Sequence, residues 1–501
     1  MTVQESFETA RHLHRSGRLA EAEALCREIL IAKPHHADAL HLLGVIAGQN
    51  GRHEEAVALF RDAVALRPDH PEAQKNLGVA LKAIRRDDEA IAAYRQAIAL
   101  KPDYAEAHKN LGNLLLGKGQ IDQAIAAYRD AITRMPTFAE AWSNLGAALR
   151  HAGRLDEAAA ACREAISSKP DYAEAHSNLG NALFDQGKLD DAIASYRTAL
   201  RLSPRFAAAC NNLGIALIAK GQPAEAIAAY QTAIRLRPDY ADAFANLGHA
   251  LKEQGRTAEA IAAYRQATAL KPDSPDWQHV LAALAGDSSP TTTPASYLRK
   301  LFDPYAPEFD AHLTGHLQYR VPEQLLDAVL TIASGRKFDV LDLGCGTGLC
   351  GAQFRLIATR LVGVDLSPAM IEKAASREIY DELVTTEISD AMRARQDSFD
   401  LILAGDLFIY VGELGDTFHS AARLLCEGGL LAFSLERHDG AGFVLNSKVR
   451  FAHSLAYIRE LSRTHGFSEL LVREIVVRKS GPHDVPGWIV VLQKSSESRV
   501  P

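Results

Sequence analysis

The first 275 residues repeat one pattern of apolar and polar positions every 34 residues. Proline falls at 34, 68, 102, 136, 170, 204, 238 and 272, and "NLG" or a near variant brings a fixed glycine to 44, 78, 112, 146, 180, 214 and 248. The third unit reads PEAQKNLGVALKAIRRDDEAIAAYRQAIALKPDY. The period predicts one helix hairpin per unit, its second helix stopped by the proline. Gly78 and Ala90 are expected where the paired helices cross closely, with Tyr94 and Leu77 filling the space between hairpins. Eight units span residues 3–274, and DWQHVLAALAG reads as a solitary capping helix. The first unit departs most, with Ala10 in place of the glycine.

The period ends after residue 285. GDSSPTTTPAS, residues 286–296, is dominated by Ser, Thr and Pro and is expected to be a linker that buries almost nothing. Beyond it, apolar runs of strand length alternate with amphipathic segments. FDVLDL (338–343), RLVGVD (360–365), LVTTEI (383–388), FDLILA (399–404) and GGLLAFSLE (428–436) read as five strands with helices such as PAMIEKAASREIYDE between them. ELLVREIVVRK and WIVVLQK, joined by SGPHDVPG without a helix, predict a hairpin at one sheet edge. The expectation is an all-α solenoid over 3–285 followed, over 297–495, by an α/β domain with a seven-stranded, mostly parallel sheet.

Composition narrows the class. At 501 residues, 47% hydrophobic and 23% charged, with a formal charge of −7, the chain reads as soluble globular protein, with no field that favours nucleic acid. No apolar run approaches the roughly 18 residues of a membrane span, and the start lacks the apolar stretch of a signal peptide. The six cysteines are scattered without a CxxC pair, so neither a disulfide framework nor a zinc site is expected, and a cytoplasmic location is.

Leu77, Gly78, Ala90, Tyr94, Ala97 and Pro102 resemble the pattern of the tetratricopeptide repeat. Two residues before the fixed glycine, asparagine recurs as Asn76, Asn110, Asn144, Asn178, Asn212 and Asn246, while the first two units carry Glu8 and Leu42 there. In that family this helix lines the concave side. In the similar arm of O-linked N-acetylglucosamine transferase such asparagines grip the backbone of extended peptides, because an amide both donates to and accepts from a peptide bond. The resemblance implies a protein or peptide partner. A simple repeat-consensus role, bonding neighbouring hairpins, is the alternative.

The stretch KFDVLDLGCGTGLCG raises the question of cofactor. Gly346, Gly348 and Gly351 satisfy the dinucleotide spacing, with Asp365 at the distance of a ribose-binding acid. Three features point away from a nicotinamide. Asp342, two residues before the first glycine, would oppose a pyrophosphate, yet it can pair with the ammonium of S-adenosylmethionine directly or through water. Gly344, Gly346 and Gly348 permit close backbone approach. The terminal hairpin departs from the simple doubly wound pattern.

VLDLGCGTG and VGVDLSPAMIEKA are similar to the first motifs of class I S-adenosylmethionine-dependent methyltransferases. That resemblance implies that Asp365 holds the ribose hydroxyls and that Leu366 and Met370 pack on the adenine. Glu387 would accept from the adenine amino group with Ile388 beside it, Asp390 being a rival, and Cys345 would be a small residue that fits the turn. Together with LFDPYAPEFDAHLTGHLQYRVPEQL, GDLFIYVGEL and RFAHSLAYIREL, the whole chain resembles bacterial predicted methyltransferases with N-terminal tetratricopeptide repeats.

For the acceptor end, Asp406 and Tyr410 are candidates because they follow the fourth strand, and Asp406 also counts as a cofactor contact. His453 is a candidate in the segment expected to close over the acceptor. Tyr305 and Tyr319 belong to the N-terminal segment expected to cover the methionine end. A protein-modifying enzyme guided by its repeats is the leading expectation. A small-molecule methyltransferase with an arm for location or assembly, and a non-catalytic adaptor, stand behind it.

Overall fold

The structure is a computed structural model that describes residues 2–480 and 483–495, apart from the side chains of His316 and Ser480. The chain divides into two compact units between Asn246 and Leu247.

Helices of 13 and 14 residues alternate from Val3–Arg15 and Leu19–Ala32 to Ala241–Glu253 and Thr257–Leu270. Each pair is a hairpin, and its interior explains the fixed glycine. A Cβ on Gly112 would stand 2.7 Å from the ring of Tyr128, and one on Gly78 would stand 2.6 Å from that of Tyr94. These tyrosines are buried within their own hairpin, flat against the glycine, rather than between hairpins as expected from the pattern. The substitutions follow from this contact: the first unit pairs Ala10 with the small Cys26, both fully buried. Glycine in the left-handed region closes most hairpins, at Gly17, Gly51, Gly119, Gly153, Gly187, Gly221 and Gly255. The third unit has Arg85 there at φ 59°, a conformation that costs an L-residue about 1–2 kcal/mol.

The second unit begins within the first helix of the last hairpin, Ala241–Glu253, continues through the helix Pro275–Ala285 and holds the sheet. Its strands are β1 (Phe338–Leu343), β2 (Ala358–Asp365), β3 (Glu382–Thr385), β4 (Phe399–Ala404), β5 (Leu425–Glu436), β6 (Phe443–Asn446), β7 (Arg450–His453), β8 (Phe467–Ser480) and β9 (His483–Lys494). Seven form one sheet in the order β3-β2-β1-β4-β5-β9-β8. The first five pair in parallel, whereas β9 runs antiparallel to both β5 and β8. The hairpin expected at the edge is therefore present, although Gly481 and Pro482 of its loop lie outside the described residues. β6 and β7 form a separate antiparallel ribbon that the sequence pattern did not indicate.

Alternation along the strands builds a core on each face. Val340, Leu401 and Leu403 pack with Leu325 and Phe354 on one side, and Leu341, Leu343, Ile402 and Ala404 pack with Phe418 and Ile458 on the other. Because β1 lies between β2 and β4, the chain leaves in opposite directions from neighbouring strands. A crevice opens above their carboxyl ends, where open sheets bind ligands.

The stretch 286–296 differs from the free linker expected of it. Thr293 is buried and its N–H donates to the carbonyl of Tyr410 at 2.9 Å, and the carbonyl of Thr291 accepts from Gly412 and Glu413 at 2.8 and 3.0 Å. The helix Pro275–Ala285 is also joined to this unit. Buried Asp276 accepts from Ser296 Oγ and from Lys300 Nζ, and His279 lies 6.0 Å from the rings of both Tyr297 and Phe451. Among the described residues no helix is long and apolar enough to cross a membrane.

Two substitutions test the hairpin interior. Gly112→Ala, despite the better helix propensity of alanine, is expected to destabilise the chain by about 1–3 kcal/mol through overpacking against Tyr128. Arg85→Gly is expected to stabilise it by about 0.5–1 kcal/mol through release of backbone strain. Denaturant unfolding checks both signs.

Candidate active site

β1 ends at Leu343, and the chain then turns through Gly344, Gly346 and Gly348 at φ of 66°, 54° and 89°. Side chains are disfavoured there, and the turn is pinned from the next strand. Asp365, at the end of β2, accepts from the N–H of Gly346 at 2.9 Å through Oδ2 and from the N–H of Ser367 at 2.8 Å through Oδ1. Burial pushes this carboxyl upward against those bonds, which favour its charged form. Nothing stands within 4 Å of where a Cβ on Gly346 would sit, so the backbone is open beside the carboxylate.

The preceding segment is fastened over this turn. Asp310 accepts from the Thr347 hydroxyl and pairs with Arg377, whose Nε donates to the Thr347 carbonyl at 2.6 Å. The Ser367 hydroxyl donates to Asp303. Beside these contacts lies a cavity of about 540 Å³ above the carboxyl ends of β1, β2 and β4, within the roughly 300–1,000 Å³ usual for small-molecule sites, with Thr347 and Ser367 in its wall.

Of the residues singled out for the cofactor, Gly344, Cys345, Gly346, Asp365, Leu366 and Met370 line this cavity. So do Glu387, Ile388, Asp406 and Tyr319, along with Tyr305 and Tyr410. Asp342, Gly348 and His453 are not part of the wall.

Each of these three has a structural place. Asp342 is buried beneath the turn, where Oδ2 accepts from the Tyr380 hydroxyl at 2.7 Å and Oδ1 has no hydrogen-bond partner. Burial raises this carboxyl to about 7, with the Tyr380 bond opposing. Gly348 precedes the helix Leu349–Phe354, and a Cβ there would press on Arg377 and Tyr380 at 3.1 Å. His453 corrects the reading that put it over the acceptor. It is fully buried at the end of β7, with Nε2 3.0 Å from the carbonyl of Gly412 and its ring stacked on Tyr457, and burial lowers it to about 4. Its ring is therefore neutral and holds the loop after β4. The thiols of Cys345 and Cys350 are pushed well up by burial and are inert as nucleophiles.

Asp406 sits at φ 55° after β4, its N–H donating to Ser434 Oγ at 2.8 Å. Its carboxylate accepts from Arg478 Nη1 at 3.0 and 2.8 Å, and Arg478 pairs in turn with Glu436. Arg478 and Arg450, both in the cavity wall, were missed from sequence. Arg478 follows buried Val477 at a register shift in β8, so two successive residues point inward and alternation hides the arginine.

The asparagines of the repeats make bonds between hairpins. The Nδ2 of Asn144, Asn212 and Asn246 donates to Asn113, Asn181 and Asn211 at 2.8, 2.9 and 2.9 Å. Asn178 donates to Ser143 Oγ at 3.0 Å and Asn76 lies 2.9 Å from His41 Nε2, while Asn110 makes no such bond among the described residues.

Residues 341–433, which hold the glycine turn, Asp365 and Asp406, match the family model described as a methyltransferase domain. Models of the tetratricopeptide repeat match residues 8–28, 41–105, 109–173, 180–221 and 217–284. The chain joins tetratricopeptide repeats to a methyltransferase domain. It is 31% identical over 145 residues to a malonyl-(acyl-carrier protein) O-methyltransferase of Acetivibrio thermocellus, a match covering 28% of this chain and 50% of the relative. It is 32% identical over 119 residues to methyltransferase-like protein 27 of Homo sapiens, covering 23% and 46%. The chain thus spans about half the length of these curated relatives. A crystal structure of MamA aligns with 33% of this chain and 96% of its own at 29% identity and a TM-score of 0.31.

The buried acid beneath the methyltransferase turn gives a pH test. Asp342 is raised from the ordinary 3.8 to about 7, so the folded state holds its proton between those values and loses stability as pH rises through them. Asp342→Asn, which keeps an acceptor for Tyr380, is expected to be more stable than the parent at pH 8 by up to about 4 kcal/mol. Its advantage should vanish near pH 4. An advantage independent of pH in denaturant unfolding contradicts this account of the anchor.

Proposed function

We propose that the chain is an S-adenosylmethionine-dependent methyltransferase whose repeat arm binds the protein that carries, or accompanies, the methyl acceptor. One observation carries the donor reading: the open backbone of Gly346 beside the carboxylate of Asp365, inside a cavity at the sheet's switch point. The residues fit an adenosyl group without phosphate. Asp365 would accept from the ribose hydroxyls, Leu366 and Met370 would cover the adenine, and Glu387 would receive its amino group. Gly344, Tyr319 and Asp406 would surround the methionine portion. When bound, S-adenosylmethionine supplies a methyl group on a sulfonium, open to in-line displacement.

The protein's share of that chemistry is alignment and exclusion of water. The N-terminal segment covers the cavity, and its closure is held by the Asp303 and Asp310 contacts. Burial raises the Tyr410 hydroxyl to about 12 and that of Tyr319 well above its usual range, so both stay protonated and act as donors.

The arm reading rests on the repeats, whose length exceeds any need of the cavity, and on the relatives named for an acceptor borne on a carrier protein. It is tested by transfer of tritiated methyl into a soluble extract of the source cell. Full chain, a 238–501 fragment that keeps the last hairpin whole, and Asp365→Ala are compared. Asp365→Ala is expected to lose at least about tenfold in donor affinity, as the loss of charge-assisted bonds implies. Label in a protein band that disappears with the fragment supports the arm reading. Equal label in small solutes for both replaces it with a small-molecule enzyme whose arm serves location.

A further inference from the structure

The acceptor end of the cavity holds a cation whose bonding capacity is unspent. Arg450, the first residue of β7, lines the wall together with Tyr305 and Tyr410. Its one ion pair, to Glu436 Oε1, spans 3.8 Å, beyond hydrogen-bond distance, and its guanidinium makes no side-chain hydrogen bond among the described residues. The side chain is about a third exposed, and its guanidinium has N–H donors to offer a ligand at the cavity wall. Arg478 differs, because Asp406 and Glu436 both engage it. The charge of Arg450 acts on the hydroxyls of Tyr297, Tyr305 and Tyr410, in each case against the upward push of burial, which locates it among these rings.

Among the described residues, the wall at this end presents no free, desolvated base. His453 is outside the wall and bonded to Gly412. Asp406 is engaged with Arg478, and Asp365 with two backbone N–H groups. Glu413 and Asp416 are exposed at the rim, the former accepting from the N–H of Gly415 at 2.7 Å. A hydroxyl or ammonium acceptor needs its proton removed, whereas a carboxylate does not.

We propose that the methyl acceptor is a carboxylate held by Arg450. The inference rests on the methyltransferase reading above and deepens it. One carboxylate oxygen accepts from the guanidinium. A lone pair of the other forms the O–CH3 bond as the C–S bond of the donor breaks and sulfur keeps that electron pair. The products are a neutral methyl ester and S-adenosylhomocysteine, and no proton moves. Acceptor anion and sulfonium cancel one another's charge within the cavity.

The test uses the full chain, tritiated S-adenosylmethionine and a soluble extract, with the labelled product treated with mild alkali. A methyl ester releases volatile labelled methanol, whereas methyl groups on nitrogen or ether oxygen stay bound. The expectation is alkali-labile label, lost more than tenfold in Arg450→Gln and partly restored in Arg450→Lys. Calorimetric affinity for S-adenosylhomocysteine should be equal in all three, which shows that the variants fold and keep the donor site. Alkali-stable label overturns the carboxylate while leaving the methyltransferase standing. Alkali-labile label undiminished in Arg450→Gln overturns the role of Arg450. Tight S-adenosylhomocysteine binding with no transfer at all contradicts the methyltransferase reading and this inference with it.

Discussion

The geometry of the site depends on a single carboxylate shared between two backbone donors. Asp365 joins the turn after β1 to the turn after β2 by accepting from Gly346 and Ser367. Two neighbouring parallel strands thereby present their ends as one rigid edge. The turn can reach that carboxylate only because glycines at positive φ carry it there, and it cannot collapse downward because Tyr380 and Asp342 fill the space beneath. The carboxylate that shapes this edge is the same group that the proposed ribose contact would use.

The cavity wall is continuous in sequence with the end of the repeat array. The helix Pro275–Ala285 secures the segment after it through Asp276, and residues 291–293 run along the loop after β4. Those residues are also cavity wall. The break between compact units falls within the last hairpin, and burial of His279 against Tyr297 and Phe451 ties the helix after it to the sheet. The cavity wall is therefore built partly from chain that directly follows the repeats.

Much of this was legible in the residues themselves. β1 and β4 have the bounds that their apolar runs indicate, because each is buried on both faces and reads as continuous hydrophobicity. The 34-residue period needed only counting. What escaped had physical causes. β6 and β7 are four residues each, too short for an alternation to emerge. Arg478 lies where a register shift breaks alternation, and Arg450 is brought to the cavity by that short ribbon. The polar stretch 286–296 looked unstructured because Thr291 and Thr293 are held by backbone bonds, which leave no mark on composition. His453 had the right residue type and the right neighbourhood in sequence, but its ring turns into the protein to hold Gly412.

The most direct test of the donor site is calorimetric titration of the full chain with S-adenosylhomocysteine and, separately, with NAD. Both carry an adenosine that Asp365 could hold, and they differ in the pyrophosphate, which only NAD carries. Binding of S-adenosylhomocysteine at micromolar or tighter affinity, with no heat from NAD, is the expected result. Binding of NAD at comparable or greater strength would contradict the assignment of this turn to a methyl donor.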